Sequence, residues 1–350
     1  MSTLQISLAI AGAAVLVVVV AHGAWTSRKN RPRQASQPAP TIGETTTDTL
    51  TDVDTLERQD PAFDGSLEAL TTLTSIEKKA ALDGLIDVIA PIAIEGQVSG
   101  EAALSAMPAT RRVGSKPFAV EGLSIETGEW ETPAAGQRYS AFQAGVQLAN
   151  RTGALNQIEY SEFVMKAQAF ADAVNGEPEF KEMHEEVARA RELDQFASEH
   201  DAQLSFTLRA ATIAWSPGYV QQNAARHGFV AGAIPGRMVL PGAQAQAPIL
   251  VLSFDSQAAM ADDPEQTALR ELTMSLDVPQ VSRSEKPFEL MCKAALALAS
   301  AMDGALMDDN GNRIRVESMQ VINADLEKLY DTLDARELSA GSPLGRRLFS

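Results

Sequence analysis

The segment QLSFTLRA at Gln203–Ala210 decides the class of fold. Leu204, Phe206 and Leu208 alternate with polar residues, and this period of two predicts a strand with one buried face. Apolar residues recur at helical spacing elsewhere, as in the alanine-rich run Phe288–Met302. Half-buried strands and amphipathic helices in the same region predict an α+β fold.

The chain beyond this strand continues the same mixture. The predicted elements are a helix at Pro217–His227, strands at Met238–Leu240, Pro248–Phe254 and Leu269–Val278, a helix at Phe288–Met302, a hairpin around Asp308–Asn312 and a helix at Glu317–Leu333.

The part of the chain before Gln203 resembles the part after it in the order of its predicted elements. The predicted elements are an apolar segment at Ile86–Ile94, a helix at Gly100–Met107, strands or strand approaches at Lys116–Ile125, Arg138–Asn150 and Leu155–Phe163, and helices at Val164–Val174 and Pro178–Ala197. Two alanine-rich helices end in similar sequences, AFADAVNG at residues 169–176 and ALASAMDG at 297–304. This similarity suggests two diverged copies of one α+β unit, while independent convergence of the two helices stays open.

Composition excludes several classes of protein. The 350 residues include 29 basic and 46 acidic residues, which gives a net charge of −17. Because binding to nucleic acid relies on Lys and Arg to neutralise phosphates, this charge argues against a nucleic-acid partner. The single cysteine, Cys292, permits no intramolecular disulfide and no cysteine metal cluster.

The N-terminal run LQISLAIAGAAVLVVVVAHGAW at residues 4–25 carries no Asp, Glu, Lys or Arg. As a helix it is long enough to cross a bilayer. A cleaved signal peptide would carry its positive charge before the apolar run, whereas here the charge follows it. We therefore expect an uncleaved anchor, with residues 1–3 in the periplasm and the bulk in the cytoplasm. The predicted membrane-interface residues are Trp25, Arg28, Lys29, Arg31 and Arg33.

The segment after the anchor is rich in Pro, Thr, Gln and Asp and poor in large apolar residues. Such a composition predicts disorder, since too little apolar area is available to offset the entropy of ordering. The predicted domains are thus a basic flank and disordered linker at 26–75, an α+β unit at 76–199, a second unit at 200–335 and a flexible tail at 336–350.

Motifs for catalysis or metal binding are weak. His184-Glu185-Glu186 lacks the second histidine of a zinc-protease motif and is interpreted as a solvated helix face. Asp308, Asn310 and Asn312 resemble the start of a calcium loop, but Arg313 occupies the position of the required glycine, so a turn is favoured. Cys292 is interpreted as a small core residue. No catalytic residues, no metal site, no cofactor and no small-molecule substrate are predicted.

The segment Ile249–Phe254, ILVLSF, is unusual because it is apolar on both faces of its predicted strand. If helices cover only one side of the sheet, the other apolar face marks a partner site. Burial of the strand between two layers is an equally good interpretation, and the sequence leaves the two open.

At this point the residues resemble those of a known family. The junction His22-Gly-Ala-Trp-Thr-Ser-Arg-Lys29 is similar to the membrane-anchor junction of the ZipA cell-division family. The order from Phe288 through Met291, Gly304, Leu306, Asp308-Asp309 and Arg313 to the last helix is similar to the ZipA C-terminal domain, and Gly228-Phe229 also fits. The resemblance covers residues 1–33 and 200–335.

The resemblance implies a split β-α-β antiparallel sheet with helices on one face. It also implies a non-enzymatic protein whose open sheet face binds the C-terminal tail of FtsZ, attaching FtsZ filaments to the inner membrane and stabilising the division ring. The implied peptide-binding residues, placed together on that face, are Thr207, Ile234, Leu250, Leu252, Phe254, Thr273, Ser275 and Asp277.

The sequence departs from the family at three places. Ser275 replaces a family aromatic residue at the groove centre, the linker is short, and residues 76–200 have no counterpart in the shorter members. The main rival to the ZipA interpretation is a membrane-anchored cytoplasmic adaptor or envelope scaffold with a different protein partner. A membrane-bound enzyme is a third alternative, disfavoured because no catalytic motif is found.

Overall fold

The structure is a computed structural model that describes residues 33–34, 82–242, 247–261, 267–308 and 311–350. The described residues form two compact units, the first ending at Phe196 and the second comprising residues 33–34 and the chain from Ala197 onward. The predicted anchor at 4–25 and the predicted linker, apart from residues 33–34, lie outside the described residues. Among the helices that the structure describes, none has both the length and the apolar character needed to cross a bilayer.

The elements from Leu82 to His200 follow one another in this order: β1 (Asp87–Ser99), α1 (Gly100–Ala106), β2 (Arg112–Val113), β3 (Lys116–Ser124), β4 (Trp130–Glu131), β5 (Arg138–Gln147), β6 (Ala149–Asn150), β7 (Gly153–Ala154), α2 (Gln157–Ala173), β8 (Gly176–Pro178) and α3 (Met183–His200).

The first sheet has the order β2-β3-β5-β1-β8, with antiparallel pairing throughout, and β4 pairs with β3. One face of this sheet packs against α2 through aromatic rings. Phe118 lies 6.2 Å from Phe163, and Phe142 lies 5.2 Å from Phe170, measured between ring centroids. Contacts of this kind add to the apolar burial that holds a helix on a sheet.

Helix α2 begins earlier than the sequence analysis predicted, so the extended segment predicted at Leu155–Phe163 is wrong. The side chain of Asn156 accepts hydrogen bonds from the backbone N–H groups of Ile158 and Glu159, and Glu159 bonds back to the Asn156 backbone. This capping box satisfies N–H groups that the first helical turn leaves without partners. The helix therefore starts at Gln157.

The elements of the second unit beyond α3 are, in order, β9 (Gln203–Ala210), α4 (Pro217–Ala225), β10 (Val230–Ala231), β11 (Arg237–Pro241), β12 (Pro248–Ser253), α5 (Ser256–Ala259), β13 (Glu271–Asp277), α6 (Pro287–Met302), β14 (Gly304–Met307), α7 (Val316–Ala335) and α8 (Pro343–Leu348).

The second sheet has the order β10-β11-β12-β13-β9-β14. Strands β13 and β14 are both antiparallel to β9, which lies between them, and α6 connects them along the chain. This arrangement is a split β-α-β unit. The α+β class and the antiparallel sheets expected from the sequence are confirmed.

The two units share a connectivity. In each, the first strand lies inside the sheet, and the strand before the long helix and the short strand after it flank that first strand, as β5-β1-β8 and as β13-β9-β14. The long helix is followed in both units by a left-handed residue, Asn175 with φ 51° and Asp303 with φ 55°. A glycine comes next in each case and opens the short flanking strand.

The C-terminal segment is part of the second unit, so the flexible tail predicted for 336–350 is wrong. Leu338, Leu348 and Phe349 are buried, and residues 343–348 form α8. The side-chain amide of Gln280 donates hydrogen bonds to the carbonyl oxygens of Arg346 and Phe349. Burial of these apolar side chains offsets the entropy of ordering the segment.

Candidate functional site

The second sheet has two different faces. On one, here called the helix-packed face, the Phe206 ring lies 6.2 Å from the Phe288 ring of α6, and Leu208, Leu272 and Met274 are buried. The opposite side of the sheet, here called the open face, carries the alternate residues of the same strands. These alternate residues are half-buried or exposed along β9 and β13.

The register of β12 corrects the position of three predicted site residues. Leu252 pairs with Met274 of β13, so it points to the helix-packed face. Leu250 and Phe254 have the same parity as Leu252, and all three are buried. The prediction that Leu250, Leu252 and Phe254 share a face with Thr273 and Ser275 is therefore wrong, because side chains alternate between faces along a strand.

The remaining strand residues of the predicted site lie together. Thr207 pairs with Thr273 across β9 and β13, and Ser275 and Asp277 follow Thr273 at intervals of two, so all four belong to the open face. All four are half-buried. The role of these residues in binding a peptide stays a prediction.

The open face also contains residues that the sequence analysis missed. One row across the sheet consists of paired residues Val239, Val251, Ser275 and Ser205, and the next consists of Arg237, Ser253, Thr273 and Thr207. In the first row apolar side chains lie on β11 and β12 and hydroxyl groups on β13 and β9, whereas the second row has the arginine on β11 and hydroxyl groups on the other three strands. The Ser253 and Ser275 hydroxyls donate long hydrogen bonds to the carbonyls of Thr273 and Val251, at 3.4 and 3.5 Å.

An ion pair lies near one end of the open face. Arg209 of β9 pairs with Glu271 of β13, with a distance of 2.6 Å between Nη2 and Oε1, and both side chains are about half exposed. An exposed pair of this kind adds little to stability. It does place both signs of charge beside the hydroxyl rows.

Ile234 lies in the turn between β10 and β11, where its carbonyl oxygen accepts a hydrogen bond from the Arg237 amide. Its side chain is 55 % exposed, and Val230, which pairs with Val239, is 51 % exposed. The edge of the sheet at β10 therefore presents two apolar side chains to solvent.

Three other segments carry residues whose sequence patterns resemble functional motifs. His184 and Glu185 are exposed on α3, while Glu186 is buried and pairs with Arg189 at 2.9 Å. Cys292 is half-buried, and burial raises the pKa of its thiol to about 11. The carbonyl and carboxylate oxygens of Asp308 accept hydrogen bonds from the backbone of Gly311 and Asn312, as expected of a turn. Over the part of the chain that the structure describes, no group of three or more His, Cys, Asp or Glu side chains is arranged to hold a metal ion.

A split β-α-β domain with one helix-packed face and one accessible face belongs to the class of domain that can bind a peptide along the accessible side. Residues 253–325 match the family described as ZipA, C-terminal FtsZ-binding domain. The match confirms the resemblance to the ZipA family, and it indicates a function in cell division through binding of FtsZ.

The matched segment runs from the end of β12 to the middle of α7. It includes β13, with Thr273, Ser275 and Asp277, and the crossover through α6 to β14. Residues outside 253–325 are not part of the match. A comparison with curated proteins finds no match to the chain.

Proposed function

We propose that this chain tethers FtsZ filaments to the inner membrane by binding the FtsZ C-terminal tail on the open face, and so stabilises the division ring. The observation that carries this proposal is the match of residues 253–325 to the ZipA C-terminal domain. The described open face supports it, since a domain that binds a tail without catalysis needs an accessible surface and no reactive centre.

The structure changes which residues we assign to the proposed site. Thr207, Thr273, Ser275 and Asp277 stay in it, together with Val239 and Val251 of the neighbouring strands. Leu250, Leu252 and Phe254 act from beneath the site, because they hold β12 against the helices. They thus contribute to binding indirectly, by fixing the position of β12.

A tail on this face would make two kinds of contact. Apolar side chains of the tail would cover Val239, Val251 and Val230, and burial of each large side chain contributes about 1.5–3 kcal/mol. Polar groups of the tail would reach the hydroxyls of Thr207 and Thr273. A few well-buried anchors usually supply most of the energy of such an interface.

Residues 4–25 are the proposed membrane anchor, and the proposed interface residues are Trp25, Arg28, Lys29 and Arg31. The support for both is the uncharged length of the run and the basic residues that follow it. Arg33, which the sequence grouped with them, instead contacts Met302 and Asp303 of the second unit. With the basic flank in the cytoplasm, both units lie in the same compartment as FtsZ.

We also propose that the first unit is a diverged copy of the second. The shared strand connectivity and the left-handed residue plus glycine after each long helix support this. The first unit lies outside the matched residues, and we assign it no share in binding FtsZ.

The experiment that tests the function is calorimetric titration of the full chain in nanodiscs with a synthetic peptide of the host FtsZ C-terminus. Val251→Asp places a charge on the open face, and we expect about a tenfold loss of affinity, which corresponds to about 1.4 kcal/mol. Val321→Asp is the matched control, since Val321 is exposed on α7. Absence of binding by the wild type, or equal loss in both variants, would contradict the proposal.

A further inference from the structure

Arg33 is part of the basic flank that follows the predicted anchor, yet it lies in the second unit. Its amide donates a hydrogen bond to the carbonyl oxygen of Ala214 at 2.7 Å, and its own carbonyl accepts one from the Ser216 amide at 2.9 Å. These two bonds pair Arg33 with Trp215 as a short parallel bridge. A residue far away in the sequence thus adds to the backbone of the domain.

The Arg33 side chain contacts the C-terminal end of α6. One guanidinium nitrogen, Nη1, donates to the carbonyl oxygen of Met302 at 3.1 Å, and Nη2 lies 3.2 Å from a carboxylate oxygen of Asp303. The last carbonyl groups of a helix carry partial negative charge and lack partners within the helix. A guanidinium suits this position, because its planar set of donors can reach two acceptors at once.

The site that receives Arg33 is built from ordered groups. Trp215 is fully buried, and its indole Nε1 donates to the same Met302 carbonyl at 2.8 Å. The Thr212 hydroxyl donates to the Asp303 carboxylate at 2.7 Å. On its other side, Trp215 exchanges two backbone hydrogen bonds with Leu269, each of 2.8 Å. The backbone of Ala214–Ser216 therefore pairs with Leu269 on one side and with Arg33 on the other.

We propose that the C-terminal end of α6, with Asp303 and the Ala214–Ser216 backbone, is a docking site for the chain's own juxtamembrane segment at Arg33. The ligand class is an extended segment that carries an arginine. When Arg33 is docked, only residues 26–32 separate the domain from the predicted anchor, and a fully extended chain of that length spans at most about 25 Å. When Arg33 is released, the same domain is connected to the anchor only through residues 26–196.

This inference rests on the proposed function, because docking of Arg33 can hold the domain near a membrane only if residues 4–25 are an anchor. The Arg33 and Asp303 side chains are 32 % and 47 % exposed, so salt screens their attraction. The proposed docking is therefore expected to weaken as the salt concentration rises. It selects between a tail-binding domain held at the membrane and one that extends towards FtsZ filaments.

The test follows hydrogen exchange at the Ser216 amide in the full chain in nanodiscs, read at residue level by mass spectrometry. This amide donates to the Arg33 carbonyl, so docking protects it. We expect Arg33→Ala to speed its exchange about tenfold, while Arg31→Ala, the same change two residues away, leaves it unaltered. The Trp215 amide, which bonds to Leu269, reports whether the domain stays folded in both variants.

A second variant changes the partner of Arg33 instead of Arg33 itself. Asp303→Asn removes the charge and keeps a residue that tolerates the left-handed backbone, as Asn175 does in the first unit. We expect it to speed Ser216 exchange as well. Equal exchange in wild type, Arg33→Ala and Asp303→Asn would overturn the docking site. Titration of the same samples with the FtsZ peptide separates the two proposals: a wild type that binds no peptide refutes tail binding and leaves the exchange result intact.

Discussion

Val251 lies directly opposite Ser275 in the antiparallel pair of β12 and β13, and both side chains belong to the open face. Ser275 stands where the resemblance to the ZipA family places an aromatic residue. The valine across from it is therefore the neighbour against which an aromatic side chain at that position would pack. This pairing makes the departure at Ser275 testable.

We expect Ser275→Phe to strengthen binding of the FtsZ peptide by about tenfold, because a phenyl ring beside Val251 adds apolar area that the peptide can bury. Calorimetry on the full chain measures the change. Ser300→Phe is the control, since Ser300 is exposed on α6 and the same ring there adds nothing to the open face. A gain of equal size in both variants would show non-specific hydrophobic binding instead.

The two sides of β12 and of Phe254, which follows it, predict losses of very different size for two acidic substitutions. Phe254 is 9 % exposed beneath the sheet, so Phe254→Asp should lower the free energy of unfolding by about 3–5 kcal/mol through lost packing and a buried charge. Val251→Asp, on the open face, should lower it by less than about 1 kcal/mol. Urea unfolding of the two variants measures this difference. Similar losses in both would contradict the assigned faces of the strand.

Strand β12 shows what the sequence could not decide. Residues on β9 and β13 alternate between apolar and polar types, so their buried faces follow from the sequence alone, and the structure agrees. Ile249–Phe254 is apolar at both parities, and no local signal selects one. The choice depends on pairing with β13, where Leu252 meets Met274. Long-range register is a tertiary property, and a slip of one residue exchanges the two faces.

One difference between the predicted and the observed elements, the start of α2, could have been read from the local sequence. The pattern Asn156-Gln-Ile-Glu159 is a capping box, which marks the start of α2 within the segment that was predicted to be extended. The C-terminal segment had only Ser342-Pro343, which marks the start of α8, and its few apolar residues, Leu338, Leu348 and Phe349, follow no period that predicts their burial. Only the tertiary contact of this segment with the second unit buries them. Element type was thus more predictable than burial.

Two buried tyrosines predict a loss of stability in alkali. Burial raises the pKa of Tyr139 in the first unit and of Tyr330 in the second to about 12, from an ordinary value of 10.0. A raised pKa means that the folded state holds the proton more tightly, so this stabilisation is complete below pH 10 and is lost as the pH rises towards 12. Urea unfolding across that range should show the decline.

A spectrophotometric titration of phenolate formation gives the matching observation. Because burial also raises the pKa of Tyr160, three of the four tyrosines should ionise late in the native chain, and in concentrated urea all should ionise near pH 10. Tyr330→Phe should remove one late group and reduce the alkaline loss of stability. If all four tyrosines ionise together in the native chain, the buried environments are not as described.

The turn before β11 predicts a large effect from a single methyl group. Gly236 has φ +77°, and a Cβ added there would lie 2.6 Å from the carbonyl oxygen of Phe254. The Phe254 amide donates to the Gly236 carbonyl at 2.9 Å, so neither backbone can move away without loss of this bond. We expect Gly236→Ala to lower the free energy of unfolding by about 2–4 kcal/mol, as strain and collision add.

Gly311 separates the two contributions, because it has the same φ of +77° and, among the described residues beyond its chain neighbours, no atom lies within 4 Å of the position that a Cβ would take. Gly311→Ala should therefore show the conformational cost alone, about 1 kcal/mol. Urea unfolding of both variants measures the difference, and the excess at Gly236 is the collision with Phe254. Because Phe254 anchors the end of β12, Gly236→Ala should also weaken binding of the FtsZ peptide, whereas Gly311→Ala should not. Equal effects of the two substitutions would show that the close approach of Gly236 to Phe254 does not constrain the open face.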